Sequence, residues 1–286
     1  MDGAGVSSPE AHPAPAPTAG VLRSTAVRAP TSPAWVRSVG PLVLADLRHR
    51  YAGSVLGGLW AAVGPLVEVA AYALVFGLVI RPRTTQDGLT YALFIASGIL
   101  PWSALREGLE SSAATLPDNR WIRRSLVPME LLVARQVLVA SVRGACGLLL
   151  VVVAAFAMGQ AAGALALAWP IAGILLQTAA VFGLGLIVAP LATLYPDLRP
   201  ALATGLTALT FASPIVYPES LMSGAVRAAL EWNPFTHFLR LYRFPLGTAS
   251  ASGPLDLAVA AATTAALLGA GWAVRSRLWW AARDRL

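Results

Sequence analysis

One apolar run, at residues 55–80, reads VLGGLWAAVGPLVEVAAYALVFGLVI and carries a single charged side chain, Glu68. An α-helix rises about 1.5 Å per residue, so roughly 20 residues cross a hydrocarbon core about 30 Å thick. The run is therefore long enough to span a bilayer. A basic segment with apolar residues at helical spacing, 35–51, precedes it. Together they predict an interfacial helix followed by a membrane-spanning helix.

The composition also indicates a membrane protein. Hydrophobic residues make up 57% of the chain and charged residues 12%, and the mean hydropathy is +0.66. These values are typical of proteins that cross the bilayer several times. The net charge of +7 comes from arginines that lie between the apolar runs and form no single stripe. We therefore expect no nucleic-acid partner.

Two residue types limit the chemistry of the chain. All 21 basic residues are arginine, and a Walker A nucleotide-binding loop requires a lysine. We therefore expect ATP and Mg²⁺ to be bound by a separate partner subunit. The single cysteine, Cys146, excludes a disulfide within the chain and a cysteine-based metal site. We expect no cofactor and no metal in this chain.

The chain divides into a tail and a membrane domain. Residues 1–33 are rich in Ala, Pro, Ser and Gly and predict a disordered cytoplasmic tail, because they bury too little apolar surface to offset the entropy of ordering. Residues 34–286 predict one all-α domain. Six apolar runs in it are long enough to span the membrane: about 55–80, 89–112, 129–158, 164–194, 199–217 and 255–275.

The distribution of arginine predicts the orientation. With the N-terminus inside the cell, 13 arginines fall in cytoplasmic segments and five fall outside. Cytoplasmic segments of membrane proteins are enriched in Lys and Arg. We therefore expect a multi-pass protein of the plasma (inner) membrane with both termini in the cytoplasm.

The connection at 212–254 is too long for a tight turn and too apolar for a solvated loop. Pro214, Pro218 and Pro234 divide it into short pieces. It predicts two short re-entrant helices that lie over the outer end of the bundle before the last span.

Two cytoplasmic features each allow two interpretations. The interfacial segment, with Asp46, Arg48, Arg50 and Tyr51, is either an anchor that only fixes topology or a lever that moves with a partner. The proline-bounded segment 117–128 is either a positively charged loop or a short helix that docks into a groove of another protein. Its candidate contact residues are Asn119, Arg120, Trp121, Ile122, Arg123 and Arg124.

Aromatic residues form a third feature. Tyr and Trp concentrate at membrane interfaces for generic reasons, but aromatic rings also pack against the C–H faces of sugars, so a weakly polar path lined by them would let a glycan slide. The candidates are Trp60, Tyr72, Phe76, Trp102, Tyr217, Trp232, Phe235, Phe238 and Tyr242.

Charged residues inside the runs are costly in lipid. We expect Glu68 to face the bundle interior or a cavity, and Arg106, Glu107 and Glu110 to lie in the headgroup region or to pair. No histidine lies at membrane depth beside a nucleophile or paired carboxylates, so we predict no catalytic residue. A membrane-embedded transferase acting on lipid-linked sugars would need such residues to converge, and it stays an alternative on that condition.

Four ordered stretches from about residue 41 onward resemble the permease subunits of type-2 ABC exporters for O-antigen, teichoic acid and related cell-surface polysaccharides. The first comprises DLRHRY at 46–51, GS at 53–54, LG at 56–57, LW at 59–60, PL at 65–66, Tyr72 and VFG at 75–77. The second is GILPW at 98–102. The third comprises Asn119, Ile122, Arg124 and VP at 127–128, with Val127 where the family usually has Phe. The fourth comprises YPDLR at 195–199, SPI at 213–215, YP at 217–218, NP at 233–234 and Arg240.

The resemblance implies a transport subunit without its own ATPase site. It implies a homodimer with two cytoplasmic nucleotide-binding subunits, which residues 119–128 would contact as a coupling helix, and an external gate made by the outer-loop helices. Trp60, Tyr72, Phe76 and Trp102 would line or brace the path. The cargo would be a lipid-linked polysaccharide of O-antigen, teichoic acid or galactan type. A permease for drugs or lipids is the alternative within the same class.

Overall fold

A computed structural model describes residues 34–50, 52–54, 57–75, 88–118, 127–159, 163–246 and 253–285. Within these ranges the chain forms nine α-helices and no β-strand, so the all-α prediction is confirmed for them. The helices are α1 Ala34–Arg50, α2 Trp60–Leu74, α3 Gly88–Thr115, α4 Met129–Ala157, α5 Ala168–Leu194, α6 Leu198–Ala212, α7 Gly224–Glu231, α8 Pro234–Arg243 and α9 Pro254–Arg285. Short 3₁₀ turns occur at Gly57–Leu59, Ala164–Leu167, Glu219–Leu221 and Phe244–Leu246. The predicted tail, 1–33, lies outside the described residues.

Three helices of the described chain are long and apolar enough to cross a membrane: α4 with 29 residues, α5 with 27 and α9 with 32. Helix α3 is of similar length, 28 residues, but Arg106, Glu107 and Glu110 lie in its C-terminal half. Helices α2 and α6 have 15 residues each. The chain is thus a multi-pass membrane protein in architecture, and the count of six spans stays a prediction.

Two helix ends differ from the predicted spans. Helix α6 ends at Ala212, whereas the run predicted a span to residue 217, because Ser213 precedes Pro214 and adopts an extended conformation with φ −105° and ψ 146°. The resulting helix is only about 22 Å long. Helix α9 continues ten residues beyond the predicted end at 275, because residues 276–285 contain no Pro or Gly to stop it.

Helices α3, α4 and α5 pack together and enclose the core, and α9 packs along the far side of α5. Ile95, Ile99 and Leu186 are fully buried in this core. The α5–α9 contact is close at Gly183 and Gly271, where a Cβ on Gly271 would overlap the Gly183 carbonyl. Small residues let helix backbones approach in this way, which favours helix association where lipid surrounds the protein.

Candidate functional site

Helices α7 and α8 lie in the predicted outer connection. Helix α8 begins with a polar cap, since the Asn233 side chain accepts a hydrogen bond from the Phe235 N–H at 3.0 Å and Pro234 occupies the first turn. Eight of its ten residues are buried, and it packs against α5 and α9. Helix α8 is therefore inserted into the end of the bundle, as a re-entrant segment would be. Its role as a gate is not settled by this placement.

A buried cluster of charges joins α8 to its neighbours. The Arg240 guanidinium donates hydrogen bonds to Glu231 at 2.5 Å, Glu219 at 2.6 Å and Asp256 at 3.3 Å. The bond from Arg240 lowers the pKa of Glu231, and the two glutamates raise the pKa of Arg240. Glu219 precedes α7, Glu231 ends α7 and Asp256 lies in the first turn of α9. The Arg240 side chain therefore connects three other segments to α8.

Asp256 also contacts a histidine. His237 Nδ1 lies 2.7 Å from Asp256 Oδ1, and His237 Nε2 lies 3.1 Å from the Glu231 carbonyl oxygen. Sequence analysis did not find this pair, because the two residues are 19 positions apart and meet only through the packing of α8 on α9. The carboxylates around His237 are all engaged by Arg240, and the described chain holds no group of His, Cys, Asp and Glu suited to a metal ion. The arrangement fastens helices together.

A second arginine, in the same last turn, anchors the C-terminal end of α8. Arg243 is buried, and its guanidinium donates to the carbonyls of Pro214 at 2.7 Å and Ile215 at 2.6 Å while lying 3.7 Å from the centre of the Phe94 ring. Gly98 leaves room for it, since a Cβ there would lie 2.9 Å from Arg243 Nη2. The GILPW stretch therefore begins with glycine because a buried guanidinium occupies that space.

The neighbouring contacts involve three of the predicted aromatic residues, Trp102, Phe235 and Tyr242. The Trp102 indole N–H donates to Thr210 Oγ1 at 2.8 Å, and its ring meets Phe235 edge-on at a centroid distance of 4.8 Å. The Tyr242 hydroxyl donates to Gln177 Oε1 at 2.8 Å. These contacts link α3 to α6 and α8, and α5 to α8, so the interior at the α8 end of the bundle is held by polar bonds as well as by packing.

The structure separates the predicted path residues into two groups. Trp102, Phe235, Phe238 and Tyr242 are buried inside the subunit. Trp60 and Trp232 are 45% and 89% exposed, and Tyr217 is partly buried. Phe76 and the Tyr72 side chain lie outside the described part. The first group is placed to brace a path and the exposed residues are placed to line one, and contact with a glycan stays a prediction for all of them.

At the other end of the bundle, α1 docks on α4 through Val39 and Val43. Asp46 and Arg50 are four residues apart on α1, a spacing that predicts an ion pair within the helix, but each has a partner on another helix. Asp46 pairs with Arg135 of α4 at 3.1 Å, and Arg50 pairs with Glu107 of α3 at 2.6 Å. Glu107 also pairs with Arg143 of α4. Arg48 is exposed, and Tyr51 lies outside the described residues.

Two further predictions concern the same end. The pair between Arg106 and Glu110 is confirmed at 2.9 Å. The candidate coupling residues 119–124 lie outside the described part, so their role stays a prediction. Just before them, Asp118 pairs with Arg199 at 3.1 Å, which joins the end of α3 to the start of α6.

Comparison with known proteins identifies the family. Residues 42–246 match the family model described as ABC-2 type transporter. The chain is 27% identical over 205 residues to the O-antigen export system permease protein RfbA of Myxococcus xanthus, covering 71% of this chain and 77% of that protein. It is 24% identical over 200 residues to RfbA of Klebsiella pneumoniae, covering 69% and 75%. It is 25% identical over 213 residues to the polysialic acid transport protein KpsM of Escherichia coli, covering 72% and 80%. The matched region begins within α1 and ends at the 3₁₀ turn that follows α8. The chain belongs to the ABC-2 type transporter family.

Proposed function

We propose that this chain is the membrane permease subunit of an ATP-driven exporter that moves a lipid-linked cell-surface polysaccharide across the plasma membrane. The observation that carries the proposal is the family match over residues 42–246 together with relatives named for O-antigen export and polysialic acid transport. An all-helical chain with three long apolar helices in its described part suits such a subunit.

The energy source is a separate cytoplasmic nucleotide-binding subunit that holds ATP and Mg²⁺. The chain contains no lysine and so lacks the Walker A residue that contacts nucleotide phosphates. Residues 119–124 are the docking segment for this partner. The Asp118–Arg199 pair beside them supports this role, since force applied there reaches both α3 and α6. ATP shifts the equilibrium only by binding the two conformations of the complex with different affinity.

The transporter is a homodimer. Helices α2 and α6 expose large apolar side chains, among them Val67 at 62% and Phe211 at 65%. Lipid covers only part of such a surface. A second copy packed against the remaining part would enclose a path between the two subunits. Both termini lie in the cytoplasm, as the 13 cytoplasmic arginines favour.

The proposed path is weakly polar. Exposed Trp60 and Trp232 offer ring faces to sugars, and the guanidinium groups of Arg240 and Arg243 bond to oxygen atoms within the subunit. Such a surface binds each sugar residue weakly, which a sliding polymer requires. Helices α7 and α8 form its external gate.

A deletion strain tests the proposal. Without this chain, the lipid-linked polymer is expected to accumulate inside the cell, and the chain together with its ATPase partner should restore surface polymer. A partner whose Walker A lysine is replaced should not restore it. The double change Trp121→Ala with Arg124→Ala should abolish stimulation of the ATPase, and Arg277→Ala, an exposed arginine outside the docking segment, should leave it unchanged. Surface polymer in the absence of the ATPase partner would overturn the proposal.

A further inference from the structure

A cavity of about 260 Å³ lies between α2, α3 and α4. Its polar lining comes from Glu68 of α2, Ser103 of α3 and Arg143 of α4, and Trp60 stands at its edge. The rest of the lining is made of small or apolar side chains. The cavity thus explains Glu68, which sequence analysis placed at a cavity or in the bundle interior because a carboxyl group is costly in lipid.

The charges around the cavity are not equally satisfied. Arg143 pairs with Glu107, which also accepts a hydrogen bond from Arg50 at 2.6 Å. Glu68 has no ion pair within the described ranges, and the Ser103 hydroxyl group that lines the same cavity donates to the backbone carbonyls of Ile99 at 3.0 Å and Leu100 at 3.1 Å. Each of the two oxygens of a carboxylate can accept hydrogen bonds. Glu68 therefore has capacity to accept hydrogen bonds from a molecule in the cavity.

The charged and aromatic side chains of the cavity together select the chemistry of the molecule that can bind there. Arg50 and Arg143 balance the charges of Glu107 and Glu68, so the cavity has no net charge with which to attract a simple anion or an organic cation. A neutral ring with several hydroxyl groups can donate to Glu68, accept from Arg143 and pack its C–H face on Trp60. We propose that this cavity is a subsite for one sugar ring of the exported polymer, recognised through hydroxyl groups by Glu68 and through its apolar face by Trp60.

The volume of the cavity agrees with the size of a single sugar ring. Pockets for drug-sized ligands measure about 300 to 1,000 Å³, so a cavity of about 260 Å³ holds one sugar residue and not a folded segment of polymer. The inference rests on the proposed function, because a sugar reaches this site only if the chain transports a glycan.

Photocrosslinking tests the site directly. The photoreactive amino acid p-benzoylphenylalanine is placed at position 60 in cells that make the polymer, with position 66 as the control, since Leu66 is 53% exposed on the same helix and does not line the cavity. After irradiation, position 60 is expected to give an adduct that stains for carbohydrate, and position 66 is not. The absence of an adduct at position 60 in cells that still export would overturn the subsite and leave the proposed function standing. Normal export without this chain would instead overturn the proposed function.

Substitutions add a second measurement. Because one hydrogen bond to a charged group contributes on the order of a tenfold change in affinity, Glu68→Leu is expected to lower the export rate about tenfold, and Glu68→Gln, which keeps the shape, by less. Trp60→Ala should also lower it, whereas the matched change Leu66→Ala should not. Thermal unfolding of each variant separates loss of binding from loss of folding. Unchanged export in the double variant Glu68→Gln with Trp60→Ala would refute the proposal.

Discussion

Replacing Arg240 by methionine isolates the buried charge cluster that holds α8. Methionine keeps much of the length of the side chain but removes every hydrogen-bond donor. The side chains of Glu219 and Asp256 are only 8% and 6% exposed, so two carboxylates would lose a partner in a buried place. Glu231, at 45% exposed, would turn to solvent. The damage is therefore expected to come from the two buried carboxylates.

The size of the expected destabilisation follows from this difference in burial between the carboxylates. Removing one partner of a buried ion pair costs about 3–5 kcal/mol, because the remaining charge stays desolvated and uncompensated. A half-exposed pair contributes at most about 1 kcal/mol, since water screens it. Arg240→Met is therefore expected to destabilise the protein by about 3–5 kcal/mol, and Glu231→Gln by less than about 1 kcal/mol. The second variant is the matched control, because it breaks one contact of the same guanidinium.

Thermal unfolding in lipid nanodiscs measures both variants. A change of 1 kcal/mol shifts the midpoint by roughly 2–4 °C in a domain of 150–250 residues, so Arg240→Met should lower it by about 10 °C and Glu231→Gln by only about 2 °C. All scans use one heating rate, because unfolding of such proteins is often irreversible. Equal and small shifts in the two variants would show that Arg240 does not fasten α8.

The pH dependence of the difference between wild type and Glu231→Gln provides a separate check. Arg240 holds the pKa of Glu231 below its ordinary value of 4.5. A carboxyl group with a lowered pKa in the folded state stabilises the fold above its unfolded pKa, and this contribution is lost as the pH falls through the lowered value. The difference in midpoint should be constant from about pH 5 to pH 9 and shrink below about pH 4.5. A difference that shrinks near neutral pH would contradict the assignment to Glu231.

Three further predictions concern helix contacts, each read from the same unfolding midpoint. Gly271→Ala should destabilise the protein by about 1–3 kcal/mol, because the added Cβ overlaps the backbone of α5. Gly269→Ala is the control and should be neutral or stabilising, because a Cβ there meets nothing within 4 Å. Equal effects of the two changes would contradict the close crossing of α5 and α9. Trp102→Phe keeps the ring but loses the hydrogen bond to Thr210, so a loss of about 1 kcal/mol is expected, and no loss would mean that the bond is not formed. Asp46→Asn breaks a partly exposed pair and should cost less than about 1 kcal/mol; a larger loss would indicate that α1 depends on this pair for docking.

The long apolar helices could be predicted from the sequence because their signal is local. Helix α4 occupies Met129–Ala157 against a predicted run of 129–158, since a continuous apolar segment bounded by Pro128 allows few alternatives. The end of α6 was predicted five residues too late, because hydropathy continues through Ile215 and Val216 although the backbone has already turned at Ser213. A turn buried under α8 keeps apolar side chains, so hydropathy alone does not mark it.

The contacts that hold the α8 end of the bundle together could not be predicted from the sequence in the same way. By sequence pattern, Arg240 and Arg243 lie at an ordinary basic end of a helix. Their partners come from five other segments of the chain: the turn at Glu219, the end of α7, the start of α9, residues 214–215 and α3. Gln177 and Thr210 look like unpaired polar residues in apolar helices until Tyr242 of α8 and Trp102 of α3 are placed beside them. Pairing across helices depends on their relative rotation, which periodicity does not determine. Glu68 is the instructive exception, because the cost of a charge in lipid predicted a cavity without any knowledge of its walls.

The arrangement of charges sets how much work a moving gate requires. If α8 swings outward as the external gate, the contacts of Arg240 with the segments before and after it must break or move together. Their loss costs about 3–5 kcal/mol, whereas shifting a two-state equilibrium from 1:99 to 99:1 takes about 5.5 kcal/mol of differential binding. If α8 is a gate, the cluster alone would therefore be strong enough to hold it closed at rest and weak enough for the proposed ATPase partner to open it. Arg240→Met complexes in vesicles should therefore leak a small fluorescent solute without ATP, and vesicles that stay tight at a temperature where the variant is folded would argue that α8 is fixed structure and not a gate.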